Sequence, residues 1–187
     1  MVSSGTKVGG SMFGLVGGRS PEILADLRGK NVGAWGGSYT TAMVMNLQGN
    51  LGLNVIRYGN GDEAKAAMEK NSIHAIIAVG GQPLGFVSGL DQRYRLISIG
   101  DTAKFSFYVP AKLNYRNLNA QGVPTIAVQA LLVTRNLKSP TKRNELLTLR
   151  KCIEDNLPEF QEGSGHHPKW QEVNPKAPSV RARYGAR

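Results

Sequence analysis

The chain of 187 residues contains one cysteine, Cys152, so it can form no internal disulfide. A thiol count that low fits a reducing compartment and many periplasmic proteins alike. There are three histidines, and no GxGxxG, GxxxxGK[ST] or GxSxG motif, so dinucleotide, phosphate-loop and serine-hydrolase signatures are all missing. His166 and His167 adjoin in "GHHPKW", but no cysteine or carboxylate follows at metal-ligand spacing. His74 lies inside an apolar run and reads as a core or rim residue. No Ser–His–Asp arrangement emerges, and the chain reads as a protein that is not an enzyme. No apolar run approaches the roughly 20 residues that span a bilayer. Acidic residues are scarce, with 13 Asp and Glu against 23 Lys and Arg, and the formal net charge is +10. Such a balance points to nucleic acid, anionic lipid or an acidic ligand as partner classes, and says nothing about fold. The start, "MVSSGTKVGGSMFGLVGG", has only Lys7 before a short glycine-broken apolar segment, a poor secretion signal.

Apolar residues make up 41% of the chain, enough for a core, and 23 glycines imply many turns. Residues 1–20 are rich in Gly and Ser and read as a flexible lead. "SPEILADLRG" reads as a helix of one or two turns, capped by Ser20 and stopped by Gly29. From residue 31 to 100 strand-like and helix-like runs alternate. "KNVGAWG", "NVIRYG", "IHAIIAVGG" and "YRLISIG" read as strands. "SYTTAMVMNLQGNLG" and "GDEAKAAMEKNS" read as helices, the second capped by Asp62. That order predicts an α/β fold, a mostly parallel sheet with helices on both faces. Further on, "KFSFYVP" and "PTIAVQALLVTRN" read as strands around a polar loop, "AKLNYRNLNAQGV". "SPTKRNELLTLRKCIEDNLPEF" reads as a helix capped by Ser139 with Pro140 in its first turn, its apolar side at Leu146, Leu149, Ile153 and Leu157. Cys152 reads as a buried or half-buried small hydrophobe there. The expected organisation is a lead over 1–20, a lobe over 21–136, a C-terminal helix over 137–160 and a basic irregular tail over 161–187. That tail, with Lys169, Lys176, Arg181, Arg183 and Arg187 among Trp170 and Tyr184, reads either as a solvated end or as a patch for nucleic acid or an anionic surface.

The chemistry concentrates at two strand ends. After "NVGAW" come Gly36 and Gly37, then Ser38, Tyr39, Thr40 and Thr41 at the start of a helix. In open α/β sheets ligands bind beyond the carboxyl ends of strands, where free backbone N–H groups of helix starts favour anions. The competing reading is that Ser38 or Thr40 caps its own helix. A second glycine pair, Gly80 and Gly81, ends the strand "IHAIIAVGG" and is followed by Gln82 and Pro83.

Taken in order, "LADLRGKNVGAWGGSYTTAMVM", "YGNGDEAKAAMEKNSIHAIIAVGGQP", "YRLISIG" and "VPAKLNYRNLNAQGVPTIAVQALLVTRN" resemble the second lobe of a type II periplasmic solute-binding protein. More narrowly they resemble the TAXI family of TRAP-transporter receptors, over about residues 24–136. The resemblance implies a small carboxylate or amino-acid-like ligand, no cofactor, a periplasmic location (a cytoplasmic one being the alternative) and transporter membrane subunits as partners. It carries the family's "GSGT" turn onto Gly36, Gly37, Ser38 and Thr40 or Thr41, with Tyr39 filling part of the pocket. It carries the ligand-side "G.P" onto Gly81, Gln82 and Pro83, and the loop tyrosine onto Tyr115. The family's first lobe has no counterpart before Leu24. A half-receptor is therefore expected, completed by a second copy or a separate chain docked on the C-terminal half. The other reading is a basic interaction protein that keeps the fold as a scaffold and binds nucleic acid, an anionic surface or a protein through its tail.

Overall fold

A computed structural model describes residues 2–15, 21–106, 108–132 and 134–174. Its strands are β1 (Val2–Leu15), β2 (Asn31–Trp35), β3 (Asn54–Tyr58), β4 (Ala75–Gly80), β5 (Tyr94–Leu96), β6 (Val109–Tyr115) and β7 (Ala120–Leu132). Its helices are α1 (Gly36–Gln48), α2 (Gly61–Glu69), α3 (Gly85–Ser88), α4 (Pro140–Asp155) and α5 (Leu157–Glu162). The chain divides into two compact units, one over Val8–Val128 and the other from Met1–Lys7 with Gln129–Arg187.

In the larger unit β2 is the centre of a parallel sheet, with β3 on one side and β4 on the other. β4 is followed by β1, antiparallel to it, and β5 pairs antiparallel with β1. The α/β fold with a parallel sheet is thus present. Strand residues alternate between two cores, as a period of two requires. Val32, Ala34, Ala75 and Ile77 pack with Ala42 and Met45 of α1. Ile76 and Ala78 turn the other way and pack with Ala64 and Met68 of α2 and Val87 of α3. Helices therefore cover both faces, which is why β4 is apolar at successive positions.

Five expectations are corrected. Residues 2–15 form a strand, where a flexible lead was expected; residues 1 and 16–20 lie outside the described ones. A ladder uses only peptide groups, so Gly9 and Gly10 pair with Gly80 and Val79 as well as any residue would. "SPEILADLRG" forms only a 3-10 turn, Leu24–Leu27, because Asp26 Oδ2 accepts the N–H groups of Glu22 and Ile23, at 3.0 and 3.1 Å, and holds them extended. Asn60, rather than Asp62, caps α2, accepting the Glu63 N–H at 2.9 Å. The strand expected over "KFSFYVP" begins only at Val109, Lys104 ending a 3-10 turn, and the polar loop after it is instead the hairpin β6–β7. Its buried Leu113 and Tyr115 alternate with exposed Lys112 and Asn114, and Asn119, at φ +50°, makes the left-handed turn.

In the smaller unit Ser139 caps α4 as expected, its side chain accepting from the Lys142 N–H at 3.5 Å. The single helix expected over 137–160 is two, with Asn156 ending α4 and Pro158 opening α5. Cys152 is exposed rather than buried, since it faces away from the half-buried Leu146, Ile153 and Leu157. Within the tail Pro168–Glu172 form a 3-10 turn. Trp170 stacks on Phe160 with ring centroids 4.7 Å apart, and Lys169 pairs with Glu172 at 2.6 Å. Lys176, Arg181, Arg183, Tyr184 and Arg187 lie outside the described residues.

Candidate functional site

The connection leaving β2 runs through α1 to β3 on one side, while the chain leaving β4 runs to β5, which pairs with β1 on the other side. The order of strands therefore reverses between β2 and β4, the point where open sheets leave a crevice beyond their carboxyl ends. Trp35 and Gly80 end these neighbouring strands. The two turns picked out in the sequence thus leave adjacent strands at the same end of the sheet.

Helix α1 begins at Gly36, two residues before Ser38. Its N-cap is Trp35, which supplies no side-chain hydrogen bond to the first turn. The capping reading of Ser38 fails: its hydroxyl is buried and accepts the Val79 N–H at 2.9 Å, tying α1 to the end of β4. Among the described residues no side chain caps the first N–H groups of α1. Gly36 and Gly37 are exposed, Gly36 at φ +47°, and a Cβ at either would meet nothing within 4 Å. Thr40 is exposed, and Tyr39 and Thr41 are half-buried. No residue of α1 is charged, so nothing on the helix itself offsets the partial positive charge at its start.

The second turn is braced from β6. Gln82 Nε2 donates to the Asn114 carbonyl at 2.9 Å, which leaves its amide oxygen for another partner. Tyr115 is only 3% exposed and its hydroxyl accepts the Leu84 N–H at 2.9 Å, so it supports this loop from within the core. Gly81 is half-buried and Pro83 is exposed.

One residue at this end escaped sequence reasoning. Arg57 is the penultimate residue of β3, is exposed, and has its guanidinium 5.6 Å from the centre of the Tyr39 ring. A cation near the carboxyl end of an otherwise apolar strand was the available signal. On the opposite face Trp35 meets Phe86 edge-on at 5.0 Å over the start of α2. His74 is exposed at the rim, and its backbone N–H donates to the Asn31 carbonyl at 2.8 Å. Among the described residues no three His, Cys, Asp or Glu side chains cluster as a metal site would need, and no helix is long and apolar enough to cross a membrane.

No family model and no curated protein sequence matches the chain. Solved structures do match. An ancestral arginine-binding protein bound to arginine shares 18% identity over 91% of this chain and 62% of its own, at a TM-score of 0.50. A mutant of ArgBP from T. maritima shares 14% over 86% of this chain and 56% of its own, also at 0.50. An arginine transport-system periplasmic binding protein from Legionella pneumophila shares 17% over 93% and 65%, at 0.48. The fold is that of a periplasmic binding-protein lobe. The chain spans less than two thirds of the length of these binding proteins.

Proposed function

We propose that the chain is a non-enzymatic binding lobe that holds a small carboxylate or amino-acid-like ligand at the start of α1. In this reading it is the TAXI-type half of a solute receptor, acts in the periplasm with transporter membrane subunits, and is completed by a second lobe. The observation that carries the reading is the uncapped, uncharged start of α1 at the strand-order reversal, opened by two exposed glycines. An anion there would receive backbone N–H donors, the Thr40 hydroxyl and the field of the helix. Arg57 adds a cation at the same end of the sheet, and the Gln82 oxygen supplies an acceptor for an ammonium group. The motif order over residues 24–136 supports the TAXI assignment, and the likeness in fold to arginine-binding proteins supports an amino-acid-like ligand.

Thermal unfolding with a panel of amino and organic acids, each beside its amide, tests the reading. A ligand at 100 times its dissociation constant stabilises by about 2.7 kcal/mol. Acids are expected to raise the midpoint and their amides not to. The Gly37→Val variant, whose side chain has open space and blocks the helix start, is expected to abolish the effect. No stabilisation by any acid, or equal stabilisation by the amides, contradicts the reading.

A further inference from the structure

The charges along α4 and α5 oppose the helix dipole. α4 opens with Lys142 and Arg143 and no acidic residue in its first turn, and closes with Glu154 and Asp155, which pair with Arg150 and Lys151 one turn earlier at 2.8 and 2.5 Å. A lone helix favours the reverse. The polarity continues beyond the helix, with Arg135 and Lys138 before it and Glu159 and Glu162 in α5 after it. Arg135, Lys138, Lys142, Arg143, Glu159 and Glu162 are exposed, and none forms an ion pair among the described residues. No residue of α4 is buried, and Leu147, at its middle, is 60% exposed.

Arg143, Leu147, Arg150 and Glu154 recur at steps of four, three and four residues, so they share one face of α4. That face is self-complementary when reversed. Arg143 and Glu154 each stand four residues outside the Leu147–Arg150 centre. We infer that a second copy of this chain docks here, the two α4 helices antiparallel about a two-fold axis. Arg143 of each then faces Glu154 of the other, a carboxylate it shares with Arg150 of that helix, and each Leu147 packs on its counterpart and on the Arg150 stem. A two-fold axis makes every contact twice, so the mismatch with the helix dipole becomes an attraction between copies. Contact between two short helices lies below the roughly 1,200 Å² of a standard interface, so the dimer is transient and salt-sensitive. The inference is independent of any ligand at the start of α1.

Sedimentation equilibrium of the whole chain at low and high salt is the test. The expected result is reversible monomer–dimer behaviour that weakens as salt rises. Arg143→Glu and Glu154→Arg should each weaken association by about tenfold, because each reversal sets like charges face to face at two symmetric places. The double variant should associate more tightly than either single one, since the pair between copies is exchanged rather than lost, and it should stay below the parent because Arg150 loses its own partner. Circular dichroism checks that α4 persists. Should it not, Leu147→Lys, at a position 60% exposed in the single chain, removes the contact at the axis and should weaken association in the same way. A monomer at every concentration, a dimer indifferent to salt and to both reversals, or a double variant no better than the singles overturns the inference.

Discussion

Ser38 joins two elements through one oxygen. Replacing it with alanine leaves the Val79 N–H without its acceptor at a half-buried strand end, and Ser38→Ala is expected to lower stability by about 1–2 kcal/mol in urea denaturation. A value near zero would mean that water replaces the hydroxyl. The cluster of hydroxyls was legible in the sequence, but their division of labour was not. At 100° per residue, starting the helix at Gly36 rather than Ser38 turns every side chain by about 200°. That decides which hydroxyl faces the core. A second residue-scale test lies at Tyr94, whose hydroxyl donates to Glu69 Oε1 at 2.6 Å beside Lys65 at 2.8 Å. Lys65 and then Tyr94 hold the Glu69 carboxyl below its ordinary range. A lowered carboxyl stabilises the fold above its unfolded value, and the contribution disappears as pH falls through the folded one. Tyr94→Phe removes one of the two donors. The Glu69 titration, followed by carboxyl NMR, should move to higher pH without reaching the ordinary value, because Lys65 remains. An unchanged midpoint would contradict the hydrogen bond.

Among the elements, α2 shows how a cap is shared. Asn60 accepts the Glu63 N–H at 2.9 Å, while the Glu63 carboxylate accepts the Gly59 N–H, also at 2.9 Å. Asn60→Ala should cost about 1 kcal/mol, measured as a lowered urea midpoint, and Asp62→Ala much less. The opposite order would restore Asp62 as the cap. The elements that the sequence made legible were those whose apolar residues bind them to one partner: β2, β3 and β4 read as strands because helices cover both their faces. β6 was hidden because its outward face is solvated. Lys112 and Asn114, between Leu113 and Tyr115, suggested a loop when polarity was read without its period of two. β1 was hidden because it is held by backbone pairing to β4 and β5, and glycines carry no side-chain signal for that.

At the scale of the molecule, the parallel sheet, the reversal of strand order and the helix start without a side-chain cap coincide at one end, where the anion site is proposed. That the two glycine turns share an end followed from the alternation of strands and helices, which was readable. That β4 lies beside β2, with β3 on the far side, was not readable, since strand order depends on contacts between segments distant in the chain. The charge pattern of α4 was likewise plain as a sequence, but its opposition to the helix dipole required knowing where the helix begins and ends. The measurement that bears most directly on the central claim is an amide NMR titration of the whole chain with an acid that stabilises it. The account predicts saturable shifts concentrated at Gly36–Thr41 and Gly80–Gln82, absent in Gly37→Val. Saturable shifts confined to other parts of the chain, or shifts at the α1 start that survive Gly37→Val, would contradict it.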